Sequence, residues 1–142
     1  MPEESTTPDL VERTRDLYEI SNRGDIDAMM TFYAPDVVWD ASPTVGNVFE
    51  GMATFRGFAQ DYLAAFEDHE WTAEVLVDLG GGVVFAVATQ KARPKGSTGY
   101  VHSREGWVTE WTDGLITRVT TYSDIDEARA VAERLAQELA DA

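Results

Sequence analysis

Asp40 and His102 have side chains that can act as acids or bases, and both lie on predicted strands. Asp40 follows Trp39 in an apolar run, and a carboxyl group in an apolar pocket has a raised pKa and exchanges protons near neutrality. His102 has an intrinsic pKa suited to the same task. Either residue is therefore a candidate general base. The alternative for Asp40 is that it ends its strand and caps the next turn, and for His102 that it is a surface or interface residue.

The strands on either side of Asp113-Gly114 decide which other polar groups join such a site. Asp-Gly between two β-branched and aromatic runs predicts a tight hairpin, because a type I′ turn needs positive φ at both central positions. The hairpin pairs Glu110 with Thr117 and Val108 with Val119. One face then carries His102, Arg104, Gly106, Val108, Glu110, Thr117, Val119 and Thr121. The opposite face carries Glu105, Trp107, Thr109, Trp111, Ile116, Arg118, Thr120 and Tyr122.

Each face would make a different pocket, and the sequence leaves both possibilities open. The first face would give a polar pocket lined by His102, Arg104 and Glu110. The second would give an aromatic pocket lined by Trp107, Trp111 and Tyr122. Alternation does not choose between them, because a sheet that dimerises is half-buried on both faces. A bulge in the long strand would also reset which residues face the pocket.

An aromatic stripe on the third predicted helix, over residues 54–66, supplies a further wall. Phe55, Phe58, Tyr62 and Phe66 recur at helical spacing, which is typical of a buried face. We expect Trp39, Phe55 and Phe66 to wall the pocket. Tyr62 or Arg104 would donate a hydrogen bond to the bound molecule, since a buried tyrosine hydroxyl requires a partner.

The surrounding elements alternate in the order α-α-β-α-β-β-β-β-α and predict one α+β domain over residues 1–142. Residues 1–7 are expected to be frayed, and Thr7-Pro8 to start the first helix. A second helix begins at Asp25 and ends at Pro35, and a loop covers residues 42–51. Ser123 or Asp124 caps the last helix, since Asp124 and Glu127 have the spacing of a capping box. Strands are predicted over residues 37–41, 71–79, 83–90, 100–111 and 115–122. The helices should cover the concave face of a curved, antiparallel sheet.

Composition excludes several classes of function. The 142 residues include no cysteine, so disulfides and thiolate chemistry are excluded. A net charge of −15 disfavours nucleic acids and anionic membranes. We find no signal peptide and no membrane span, and expect a cytoplasmic protein without a cofactor. His69 lies in an acidic segment that we expect to be a solvated helix-to-strand loop rather than a metal site, because no second histidine is nearby.

Several motifs in order resemble the NTF2-like superfamily and, within it, the SnoaL-like family, over nearly the whole chain. They are the segment from Asn22 to Trp39, Gly51 before the aromatic helix, Gly96-Ser97-Thr98-Gly99, and the run from Asp113 to Asp124. The resemblance implies a cone-shaped, curved antiparallel or mixed sheet with N-terminal helices enclosing an apolar pocket, a C-terminal helix, and a homodimer. It also implies a small hydrophobic ligand, with isomerase, cyclase or dehydratase chemistry of the acid–base type. The alternative is a non-catalytic binding or dimerisation module, because the fold hosts many functions.

The resemblance does not extend to the catalytic groups of ketosteroid isomerase, a well-understood enzyme of this fold. Alignment on Gly24-Asp25 puts Leu17 at the position of its catalytic tyrosine, with Tyr18 one residue away. The position of its base falls on Ala41, with Asp40 one residue away, and its second acid falls near Gly106. One residue turns a strand side chain to the opposite face and rotates a helical one by about 100°. We therefore do not expect steroid isomerase activity.

Overall fold

The computed structural model describes residues 9–141, and its first helix, α1, spans Leu10–Asn22. The side chain of Asp9 accepts a hydrogen bond from the backbone N–H of Glu12 and caps this helix, and the predicted cap at Thr7 lies outside the described residues. The predicted fraying of residues 1–7 lies outside the described residues. Asp25 caps the short helix α2, Ile26–Met30, which ends before the predicted stop at Pro35.

The remaining elements differ from the sequence prediction mainly in one additional strand and in one strand that begins earlier. They are β1 (Tyr33–Ala41), β2 (Asn47–Glu50), α3 (Met52–Ala64), β3 (Phe66–Gly80), β4 (Val83–Pro94), β5 (Val101–Thr112), β6 (Leu115–Tyr122) and α4 (Ile125–Asp141). The predicted loop over 42–51 contains strand β2, which pairs antiparallel with the end of β1. Strand β3 begins five residues before the predicted residue 71, at Phe66, so His69 belongs to a strand and not to a solvated loop.

The six strands form one mixed sheet in the order β2-β1-β6-β5-β4-β3. All neighbouring strands are antiparallel except β1 and β6, which run parallel. The parallel pair brings the first strand beside the last strand, which places Trp39 opposite Val119. The α+β class and the curled sheet with a C-terminal helix are confirmed.

The helices cover both faces of the sheet and not only one. Helices α1, α2 and α3 cover the face that we call the inner face, where Tyr33, Trp39 and Phe55 belong to the larger core cluster. Helix α4 packs on the opposite, outer face, where its Ala128 and Ala132 join the core cluster of Phe85, Val87 and Val108. The expectation that all helices share the concave face is therefore wrong for α4. None of the helices within residues 9–141 has the length and apolar character needed to cross a membrane.

A bulge in β6 changes which residues of the hairpin share a face. The Asp113-Gly114 turn has the predicted positive φ angles, 53° and 81°. Trp111 pairs with Ile116, but the next pair is Glu110 with Arg118, so Thr117 is an extra residue. The predicted pairing of Glu110 with Thr117 is therefore shifted by one residue beyond the turn. The inner face combines Glu105, Trp107, Thr109 and Trp111 of β5 with Ile116, Val119 and Thr121 of β6.

Candidate functional site

A cavity of about 220 Å³ lies between the inner face of the sheet and helices α1 and α3. Its wall is mainly aromatic, and the largest contributions come from Tyr18, Trp39, Phe55, Tyr62, Trp71 and Trp107. Val45, in the loop between β1 and β2, also lines the cavity and is 67% exposed. The cavity therefore opens to solvent beside this loop.

The aromatic rings hold one another in fixed orientations. The Trp107 ring lies edge-on to Trp39 and to Trp71, with centroids 5.2 Å and 5.0 Å apart. Trp39 stacks on Phe55 at 4.8 Å, so the contacts run from β3 through β5 and β1 to helix α3. Edge-to-face and offset contacts of this kind add to the free energy of burying the rings. The wall is consequently pre-formed.

Glu105 is the carboxylate of this cavity. It is paired with Ala88 across the sheet, so it lies on the inner face, and its Oε1 accepts a hydrogen bond of 2.9 Å from the indole N–H of Trp107. Within residues 9–141, the residues that line the cavity include one carboxylate and no lysine or arginine. The half-buried negative charge is thus held by a neutral donor in place of a cationic side chain.

Three further polar groups face the cavity without a hydrogen-bond partner among residues 9–141. The hydroxyls of Tyr18 and Tyr62 and the amide nitrogen of Gln90 are buried and unpaired. Burial raises the pKa of both tyrosines, and the negative charge of Glu105 raises it further. Both hydroxyls therefore stay protonated at neutral pH. Buried polar groups normally have a hydrogen-bond partner, and these three have none among the protein atoms of residues 9–141, so they are available to a molecule in the cavity.

His69 occupies the wall next to Trp71, where strand β3 meets the end of α1. Its Nε2 lies 3.0 Å from the backbone oxygen of Ser21. Because a carbonyl oxygen only accepts, Nε2 is the donor in this contact. The Asn22 side chain fixes this junction by donating to the Trp71 carbonyl at 2.9 Å and accepting from its N–H at 2.7 Å.

Asp40, the first predicted base, lies outside the cavity. Its side chain is 15% exposed and accepts hydrogen bonds from the Ser42 hydroxyl at 2.5 Å, the Ser42 N–H at 2.9 Å and the Arg118 guanidinium at 2.7 Å. The Ser42 hydroxyl contributes most to lowering the pKa of Asp40, which is the opposite of the predicted rise. Asp40 therefore caps the turn after β1. Its neighbour Ala41 lines the cavity instead, since successive strand residues face opposite ways.

His102 and Arg104 also lie away from the cavity. Both are exposed, and they line an open groove on the outer face together with Glu70 and Lys91. The Nε of Arg104 lies 3.0 Å from a carboxylate oxygen of Glu74. The predicted polar pocket of His102, Arg104 and Glu110 is therefore wrong. His102 and Arg104 lie in a surface groove, and Glu110 is a half-buried residue outside it.

Glu110, Tyr122 and Phe66 do not line the cavity either. Glu110 pairs with Arg118 on the outer face, where burial raises its pKa. The bulge turns Tyr122 to the outer face, where it packs against the cluster under α4. The Phe66 ring lies behind Tyr62 at a centroid distance of 4.9 Å. Gly106, the third position aligned with the isomerase, lies under α4, because a Cβ there would be 2.4 Å from that of Ala128.

Trp39, Phe55, Tyr62 and Trp107 are the predicted pocket residues that do line the cavity. Their part in ligand binding remains a prediction. Sequence reasoning missed Glu105, Gln90, Tyr18, His69 and Trp71 as lining residues. The alternation of Glu105 with Trp107 was a usable signal, because residues two apart on a strand share a face. Within the described chain, no group of three His, Asp or Glu side chains could hold a metal ion.

Comparison with known proteins places this geometry in a family context. The model of a SnoaL-like domain matches residues 14–119 of the chain. No curated protein matches the sequence. Solved structures include a putative polyketide cyclase from Xanthomonas campestris pv. campestris, which is 28% identical, with 84% of this chain and 93% of that chain covered and a TM-score of 0.62.

Two more distant structures share the fold and contain bound molecules. A hypothetical protein from Catenulispora acidiphila, with a ketosteroid isomerase-like fold and in complex with trimethylamine, is 18% identical, covers 82% of this chain and 86% of its own, and has a TM-score of 0.70. TerC, co-crystallised with polyporic acid, is 17% identical, covers 87% and 97% of the two chains, and has a TM-score of 0.68. These likenesses concern the fold.

Proposed function

The chain belongs to the SnoaL-like domain family, and on this basis we propose that it binds a small hydrophobic molecule in the cavity beside Glu105. The observation that carries the proposal is the set of three buried, unpaired polar groups, those of Tyr18, Tyr62 and Gln90, in an otherwise aromatic wall. Leaving such a group unpaired costs about 1–3 kcal/mol, so a ligand that pairs with them recovers free energy on binding.

The size of the cavity limits the ligand. At about 220 Å³ it is smaller than the roughly 300–1,000 Å³ typical of pockets for drug-sized molecules. Structures of the same fold hold small molecules, polyporic acid in TerC and trimethylamine in the Catenulispora protein. The ligand proposed for this chain is correspondingly compact, with an apolar body and one polar end.

A thermal-shift screen of compact hydrophobic molecules, followed by titration monitored by tryptophan fluorescence, tests this function. Ligands should change the fluorescence, because Trp39, Trp71 and Trp107 line the cavity. Tyr62→Phe should weaken binding about fivefold by removing one hydrogen-bonding group. Tyr100→Phe is the matched control, since Tyr100 is exposed and donates to Asp68. Ligands that bind equally to wild type and to Tyr62→Phe and Trp107→Ala variants would place the site elsewhere.

A second candidate function is acid–base catalysis on the bound molecule. The observation that favours it is that two side chains able to accept a proton, Glu105 and His69, line the cavity together with the protonated hydroxyls of Tyr18 and Tyr62. A carboxylate or imidazole can remove a proton while a tyrosine donates to the oxygen that gains charge. A His69→Gln variant that binds a ligand normally but turns it over at the wild-type rate would remove His69 from this role.

A homodimer is the proposed assembly. The outer face beyond α4 carries Glu70 and Glu74 on β3 beside Lys91 and Arg104 on the next two strands. Such a patch is self-complementary under a two-fold axis, because acidic rows of one copy can meet basic rows of the other. Sedimentation equilibrium should give twice the chain mass, and Lys91→Glu with Arg104→Glu should give a monomer.

A further inference from the structure

We propose that the ligand of this cavity is a small hydrophobic cation, a protonated amine or a quaternary ammonium, with Glu105 as its counter-ion. The inference rests on the proposed function and narrows its ligand class.

The carboxylate of Glu105 has no cationic partner in the cavity. Its hydrogen bond from the Trp107 indole is neutral, and the lining residues within 9–141 include no lysine or arginine. A carboxylate removed from water is costly unless a charge of opposite sign or several donors compensate it. An anionic ligand would add a second negative charge beside Glu105. A cationic ligand would supply the missing positive one.

The aromatic wall near Glu105 is of the kind that holds ammonium groups. Trp107 shares its indole N–H with Glu105 and lies 5.0 Å from Trp71 between ring centroids. Tyr62 stacks over Trp71 at 6.4 Å, which extends the aromatic surface across to α3. Tryptophan and tyrosine faces attract cations through the ring quadrupole, most strongly where water is excluded. A carboxylate set among such rings therefore selects an organic cation over a neutral molecule of the same shape.

The unpaired polar groups accommodate a protonated amine as well. The oxygens of Tyr18 and Tyr62 accept as readily as they donate, so each can take an N–H of the ligand. The oxygen and nitrogen of the Gln90 amide exchange places by a flip, so its oxygen can be turned to the cavity. The net charge of −15 also draws cations towards the protein at long range. The counter-ion role of Glu105 leaves His69 as the proton acceptor for any chemistry.

Tryptophan fluorescence titration with two probes of the same shape tests the charge. The probes are benzyltrimethylammonium and its neutral carbon isostere, neopentylbenzene. Wild type should bind the cation at least tenfold more tightly than the neutral probe. Glu105→Gln keeps the acceptor for Trp107 and removes the charge, so it should weaken cation binding at least tenfold and change neutral binding less than twofold. Glu138→Gln, which removes an exposed charge from helix α4, is the matched control and should alter neither affinity more than twofold.

The possible results of the titration separate the binding function from the preference for a cation. If the neutral probe binds as tightly as the cation and Glu105→Gln leaves their ratio unchanged, the cation inference is wrong while the binding function stands. An equal loss of cation affinity in Glu138→Gln would mean that overall charge attracts the probe and would also overturn the role of Glu105. If neither probe binds up to its solubility limit and the thermal-shift screen also yields no ligand, the proposed binding function fails together with the inference. If the screen yields only neutral ligands, the inference alone is wrong.

Discussion

At the scale of single residues, adjacent residues on strands β1 and β5 point to opposite sides of the sheet. Asp40 faces Arg118 on the outer side, whereas Ala41 faces the cavity. Arg104 pairs with Glu74 in solvent, whereas Glu105 meets Trp107 inside. Whether a residue reaches the cavity therefore depended more on which face of its strand it occupies than on its chemical type. Asp40 looked like a base by composition, but its three hydrogen bonds make it a structural carboxylate.

Asp40→Asn should lower the stability and leave ligand binding unchanged. The pKa of Asp40 is lowered in the folded state, chiefly by the Ser42 hydroxyl. Its stabilisation is therefore present above the ordinary carboxyl pKa and is lost as the pH falls through the folded value. We expect a loss of about 1–2 kcal/mol at pH 7, shrinking below about pH 4. Urea unfolding across pH measures this, and a difference that is constant with pH would contradict it.

Glu110→Gln should raise the folding stability at neutral pH, which is the opposite of the effect expected for Asp40→Asn. Burial raises the pKa of Glu110, an effect that Arg118 partly offsets. The folded state therefore holds this proton more tightly than the unfolded chain, and stability falls as the pH rises through the folded pKa. The variant should be more stable than wild type at pH 7 and lose that advantage near pH 4. Thermal unfolding at the two pH values checks this, with exposed Glu67→Gln as the control.

At the scale of elements, the contact between β5 and α4 closes the outer core. Gly106 lies where a Cβ would come within 2.4 Å of the Ala128 Cβ and 3.4 Å of the Ile125 Cα. The glycine is therefore required by close approach and not by its backbone angles. Since Trp107 follows directly and faces the cavity, the same short segment joins the outer core to the site wall.

Gly106→Ala should destabilise the fold by about 1–3 kcal/mol, because the added methyl group pushes α4 from the sheet. Ala128→Gly removes the other methyl group, so the double variant should regain at least about 1 kcal/mol relative to the sum of the single changes. Chemical denaturation of all four proteins of the cycle measures this coupling. Strict additivity would show that the two positions do not clash.

At the scale of the whole molecule, a wall of aromatic rings is held inside a strongly acidic surface. The chain has 11 basic and 26 acidic residues, and few of these charges are paired within residues 9–141. Like charges on one compact surface repel one another and favour expansion.

Added salt should therefore stabilise the protein and weaken cation binding. Raising NaCl from about 0.02 M to about 0.5 M shortens the screening length from roughly 20 Å to roughly 4 Å. The melting temperature should rise as self-repulsion is screened, while the affinity for benzyltrimethylammonium falls and that for neopentylbenzene does not. Calorimetry and fluorescence titration at both salt concentrations report the two effects. A melting temperature that falls with salt would contradict the repulsion argument.

The sequence by itself determined the features that depend on neighbouring residues. The Asp113-Gly114 turn, the cap at Asp124, the aromatic face of α3 and the family resemblance all follow from local spacing. The bounds of β6, Leu115–Tyr122, also matched the prediction, because turn residues and a change of period mark both ends. The resemblance to the SnoaL-like family is confirmed.

Only the tertiary structure decided which residues meet in the cavity. Strand β2 exists because β1 pairs with it, and the bulge at Thr117 reverses the faces of all later residues in β6. A shift of one residue exchanges Thr121 for Tyr122 at the inner face, and no local signal marked that shift. Glu105 became a site residue because Tyr18, Tyr62 and Gln90 approach it from three other elements. The local pattern determines which residues of one strand share a face. Which residues of other elements lie beside them depends on the pairing between strands that are distant in sequence.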